Sequence, residues 1–155
     1  MARTLVVGIG VNDSDDMTAK HEIDPLTGKR KTVWRCPYYS TWKSMLERCY
    51  SEKLHKRLPK YADCYTIEDW HLFSNFKAWM EKQDWEGKAL DKDLLVFGNK
   101  VYSPETCVFI SRRVNSFITE TDNIRGDWPI GVSWHKQKNK FYASVHLGNG
   151  SQKHL

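Results

Sequence analysis

The chain has 155 residues, of which 40% are hydrophobic and 28% charged, and a formal net charge of +5. That length holds one medium domain, or one domain with a small module. No apolar run approaches the ~20 residues needed to cross a bilayer, so a membrane partner is not expected.

The opening MARTLVVGIGVND has one arginine and an apolar run too short for a secretory signal, which gives a cytoplasmic address as the expectation. LVVGIGV reads as a short strand, and the following stretch as a loop or hairpin turning at Asp24-Pro25-Leu26-Thr27-Gly28. Trp42, Met45, Leu46, Cys49 and Tyr50 then recur at helical spacing, with Ser40 or Thr41 placed to cap a helix of roughly three turns. SEKLHKRLPKYADCY is basic and broken by Pro59, as an exposed connection would be. Thr66 and Asp69 resemble a capping box, and Trp70, Phe73, Phe76, Trp79 and Met80 build the core face of a second helix. Strands are expected near 88–96 and 107–111, and a helix from about Ser111 to Thr121.

Gly126 and Pro129 mark a boundary. Beyond it, apolar and polar residues alternate in three short runs separated at Lys138-Asn139 and at Gly148-Asn149-Gly150, a hairpin pattern. From Arg125 to the end, Arg125, Lys136, Lys138, Lys140 and Lys153 face only Asp127. A polyanion such as nucleic acid is one reading of that excess, and a surface kept basic for solubility is the other.

Cys36, Cys49, Cys64 and Cys107 sit in a chain with no export signal, so structural disulfides are not expected. Inert burial and zinc remain as alternatives. The spacings are long and contain no CxxC, yet each cysteine falls at the end of an expected element, where four thiolates could converge.

LDKDLLVFGNKVYSPETC, residues 90–107, brackets Lys92 between Asp91 and Asp93. Carboxylates on an apolar run cost free energy unless they pair or hold a metal. A strand with an Asp, a turn, a second strand and then a helix with an Asn is the order found in ββα-metal nucleases. Asp91 and Asn115 are in that order. Lys92 stands where the HNH family carries histidine, and Asp93 is the available substitute as base or second ligand. A structural ion-pair network around Lys92 is the competing explanation.

The blocks GIGVNDSDD, CPYYSTWKSMLERCY, CYTIEDWHLFSNFKAWM and LDKDLLVFGNKVYSPETCVFISRRVN resemble a family of tailed-phage proteins described as HNH-like endonucleases. The resemblance implies an α+β fold: a ββα-metal nuclease-like domain with flanking helices over 1–124. It also implies that Asp91 and Asn115 bind Mg²⁺ or Mn²⁺, that Asp93 activates water or supports the metal, and that Lys92 steadies the phosphate. It favours a structural zinc on Cys36, Cys49, Cys64 and Cys107, because the position of Cys36 is often His or Cys in relatives.

GVSWHKQKNKFYASVHLGNGSQKHL resembles the three-stranded antiparallel sheet of the ethylene-response-type DNA-binding module, here 125–155. By position, the resemblance gives Arg125, Trp134, Lys136, Lys140, Tyr142, Ser144 and His146 as DNA contacts; the backing helix of that module would follow Leu155. The expected function is therefore phage DNA cleavage or nicking on double-stranded or branched DNA. A DNA-binding regulator on a degenerate scaffold and an inhibitor of a host protein are the alternatives.

Overall fold

The structure, a computed structural model, describes residues 4–118, 128, 131–146 and 152–154. The chain divides after Ile118 into two compact units, Met1–Ile118 and Thr119–Leu155. Among the described residues the architecture is mixed α+β, with the strands in four small separate sheets.

The first unit is built around two helices. Helix α1 (Pro37–Tyr50) starts on Cys36 with Pro37 in its first turn, where a missing N–H costs nothing. It therefore begins three residues before the expected Ser40 cap. Its inner face buries Trp42, Met45, Leu46 and Cys49, and each large apolar side chain so buried contributes about 1.5–3 kcal/mol. After α2 (Glu52–Arg57) and a 3₁₀ turn, helix α3 (Phe73–Met80) supplies Phe73, Phe76 and Met80. Trp42 Nε1 donates to the Trp70 carbonyl at 2.7 Å, satisfying an indole N–H that is fully buried.

The start of α3 differs from expectation. Thr66 is not its cap: Thr66 lies in β3 (Tyr65–Thr66), and its hydroxyl donates to the Tyr102 carbonyl. The first turn is capped instead by Asp13, whose carboxylate accepts the Ser74 N–H at 2.9 Å and the Ser74 hydroxyl. LVVGIGV is also not a strand. Val6 and Gly10 close a tight turn, with Val7 at φ 54° and Gly8 at φ 78°. Gly10 is required by packing, since a Cβ there would lie 2.4 Å from Leu46 Cδ1 and 2.8 Å from the Trp42 ring.

Strands β1 (Ala19–Ile23) and β2 (Arg30–Arg35) form the expected hairpin, with a register shift between Lys20 and His21. Strand β3 pairs in parallel with β5 (Val101–Tyr102). β4 (Lys88–Asp91) pairs antiparallel with β6 (Val108–Ser111), and α4 (Arg112–Ile118) follows β6 directly. The Trp79 and Phe109 rings, 5.8 Å apart, tie this hairpin to the helical core. β4 ends at Asp91, so the expected strand over 92–96 is replaced by bends. The second unit is one antiparallel sheet of β7 (Val132–His135), β8 (Lys140–His146) and β9 (Gln152–His154) in that order.

Candidate functional site

Sixteen residues separate β4 from β6, yet the two pair in register from Lys88↔Ser111 to Asp91↔Val108, and α4 packs against both strands. Asp91, the last residue of β4, is half-buried, as is Asn115 in α4. The two candidate metal ligands therefore sit on elements in contact. Asp91 Oδ1 accepts the backbone N–H groups of Asp93 at 2.9 Å and Leu94 at 2.7 Å. This Asx turn ends the strand, because the side chain takes N–H groups that a continuing ladder would use. It also fixes the carboxylate in orientation through one of its oxygens. Arg48 of α1 lies nearby and donates to the Leu90 carbonyl at 3.4 Å. Burial works against the Arg48 charge, but Tyr102, Tyr61 and Asp91 outweigh it and leave its pKa above the usual guanidinium value.

Lys92 is not placed to steady a phosphate. It is buried, 5% exposed, and its Nζ donates to Asp93 Oδ1 at 2.6 Å and to the Asn99 carbonyl. Asn99 returns bonds from its side-chain amide to the carbonyls of Lys92 (2.9 Å) and Val101 (2.6 Å), while its Oδ1 accepts the Val101 N–H. The ammonium is thus an internal clamp across the base of the 92–99 loop. The Asp93 side chain is 45% exposed, so this carboxylate remains in reach of water.

All four cysteines are buried in the core of the first unit, but they do not form one site. Cys36 caps the start of α1 and Cys49 lies in its last turn, so the helix separates them by about 20 Å at ~1.5 Å per residue. Two thiolates on one zinc lie within about 4.6 Å, twice the Zn–S bond. The four-cysteine zinc expectation is therefore corrected: Cys36 cannot share an ion with Cys49. Cys49 lies close enough to Cys64 and to Cys107 to interact electrostatically, and all three do so with Lys92. Burial pushes the Cys49 and Cys107 thiols up to about 12, and raises that of Cys64. Among the described residues, no group of three or more His, Cys, Asp or Glu side chains is gathered to hold a metal ion.

In the second unit the register sorts the candidate DNA contacts by face. Val132↔Ala143 and Trp134↔Phe141 share one side, where the Trp134 and Trp128 rings each meet Phe141 edge-on at 4.6 Å. Ser133↔Tyr142 and His135↔Lys140 share the other, and Ser144 follows Tyr142 on it by alternation. Trp134 thus lies on the apolar face, opposite Lys140, Tyr142 and Ser144. His135, absent from the expected contacts, joins the polar face, with its ring 5.3 Å from that of Tyr142. Lys136 is exposed in the turn between β7 and β8, and Lys138 lies 5.6 Å over the Tyr142 ring. Arg125 and the side chain of His146 lie outside the described residues. No Asp or Glu occurs after Asp127.

No family model, no curated protein and no solved structure matches the chain.

Proposed function

We propose that this protein is a metal-dependent DNA endonuclease of the nicking type, with its metal grip on the β4–β6–α4 unit and a DNA-binding surface on the polar face of the C-terminal sheet. The observation that carries the reading is the contact of α4 with both strands, which brings the elements of Asp91 and Asn115 together. A carboxylate and an amide carbonyl are hard oxygen donors, the set that Mg²⁺ and Mn²⁺ take alongside waters and substrate phosphates. Such an ion supplies neutralisation of the charge that develops at a scissile phosphate and its leaving oxygen.

The chain's own residues would then divide the remaining work. Asp91 enters pre-oriented by the two N–H bonds to its Oδ1, so no side-chain freedom is lost on binding. Asp93, half-exposed and held by Lys92, would take the proton of the attacking water. Arg48 sits close enough to Asp91 to balance its charge before a cation arrives. On the sheet, Lys140, Tyr142, Ser144 and His135 would meet the duplex, with Lys136 on phosphate.

A second reading has its own support. The burial of Lys92, at the position where a catalytic histidine is expected, favours a DNA-binding regulator in which the hairpin is only structural. Supercoiled plasmid incubated with Mg²⁺ or Mn²⁺ separates the two. Nicked circles from the parent and none from a folded Asp91→Ala variant support the enzyme. Tight binding without cleavage of duplex, branched or single-stranded DNA transfers the function to the regulator.

A further inference from the structure

The β1–β2 ribbon is the most exposed regular structure in the first unit. Of its eleven strand residues only Ala19 and Thr32 are even partly covered. Among the described elements, neither strand packs substantially against anything but the other. A two-stranded hairpin is marginal in water by itself, and this one leaves Ile23 (64%), Val33 (44%) and Trp34 (41%) exposed.

Its two faces differ in charge. Cross-strand partners share a face and β1 alternates without interruption, so Ala19↔Arg35, His21↔Thr32 and Ile23↔Arg30 line one side, Val33 being the extra residue that β2 takes up at the shift. This side carries His21, Arg30, Thr32 and Arg35 with Ala19 and Ile23, and no carboxylate. One contact orders it: Thr32 Oγ1 and His21 Nδ1 are 3.1 Å apart. The other side has Lys20↔Trp34, with Lys20 Nζ 5.9 Å over the Trp34 ring, and Glu22↔Lys31, so a carboxylate sits beside a lysine there. A face rich in donors, lacking acids and bearing apolar side chains is complementary to the acceptor edges, phosphates and thymine methyls of a DNA major groove. That groove, ~12 Å wide, admits a two-stranded ribbon.

We propose that the β1–β2 ribbon is a second DNA-binding element, entering the major groove with the His21, Arg30, Thr32 and Arg35 face toward the bases. The inference deepens the DNA-binding part of the proposed function and rests on it. Arg30 and Arg35 supply the charge, to phosphate or to guanine edges. The apolar members of the face meet thymine methyls.

The two faces provide an internal control, because each holds two removable positive charges on exposed side chains. Binding of the full chain to a random-sequence 24-base-pair DNA duplex is followed by anisotropy over a range of salt. The same is done for Arg30→Ala/Arg35→Ala and for Lys20→Ala/Lys31→Ala, each checked for a parental melt. The first pair is expected to reduce the slope of log K against log salt by up to ~2 units, and the second to leave it at the parental value. Equal losses from both pairs would mean a general field effect and would overturn the proposal. So would no loss from either while the parent binds and Lys136→Ala/Lys140→Ala weakens it, an outcome that leaves the sheet intact as the DNA surface. A parent that binds no duplex at all removes the DNA reading itself. An A-form RNA duplex of the same sequence should bind more weakly, because its deep, narrow major groove does not admit the ribbon; equal ribbon-dependent affinity for RNA would contradict the groove assignment.

Discussion

Lys92→Met separates a structural clamp from a catalytic group. Methionine keeps most of the buried stem and removes the ammonium, with its bonds to Asp93 Oδ1 and the Asn99 carbonyl and its place 5.9 Å over the Tyr102 ring. A hydrogen bond to a charged group contributes about 1.5–3 kcal/mol. Asp93 is 45% exposed and regains water when its partner leaves, so most of the loss falls on the Asn99 carbonyl. Relief of the buried charge offsets part of that. The net expectation is about 2 kcal/mol of destabilisation, or a Tm lower by about 6–10 °C for a unit of this size. Urea unfolding with an unchanged m-value and a thermal melt read it directly. At a temperature where the variant is folded, it should bind duplex DNA as the parent does, and lose cleavage only so far as Asp93 is less firmly held. A Tm within about 1 °C of the parent would refute the clamp; a stable variant that has lost activity would return Lys92 to the chemistry.

Gly10→Ala should destabilise by about 1–3 kcal/mol, because the new methyl meets Leu46 and Trp42, which are fully buried and cannot withdraw; denaturant midpoints check it. The buried thiols predict an alkaline limit. Their folded-state pKa values stand above the unfolded value, so the folded chain holds protons that the unfolded chain releases, and stability should fall as pH rises from about 9 towards 12. Denaturation at pH 8 and pH 10 tests the sign, and the same thiols should react with Ellman's reagent only after unfolding. Lys136→Ala with Lys140→Ala should reduce the salt slope of duplex binding by up to ~2 units, and an unchanged slope would move the phosphate contacts off the sheet.

Helix α1, the β1–β2 hairpin and the three C-terminal strands were legible because each depends on local periodicity and turn residues. The misses have non-local or side-chain causes. LVVGIGV has a strand's composition, but its last glycine is pressed against Trp42 and Leu46, contacts invisible until α1 is placed. LLVF after Asp91 looks like more strand, yet the Asp91 carboxylate captures the next two useful N–H groups and turns the chain. The cap of α3 comes from Asp13, 61 residues upstream, which no local capping box reveals. The order strand, strand, helix around Asp91 and Asn115 was readable, whereas the depth of Lys92 depended on Asn99 closing the loop from behind. The separation of Cys36 from Cys49 was within reach of sequence, since a continuous helix between two proposed ligands sets their distance by its length. His135 was equally accessible, because strict alternation with Ser133 puts it on the polar face.

The proposed grip of Asp91 and Asn115 on a divalent ion is most directly measured by Mn²⁺ binding followed by electron paramagnetic resonance, with the metal titrated into parent, Asp91→Ala and Asn115→Ala proteins. The account predicts one ion per parent chain, competed by Mg²⁺, and weakened in both variants while each still melts cooperatively. Parental Mn²⁺ affinity in the variants, or no bound Mn²⁺ in the parent with or without duplex DNA, would contradict it.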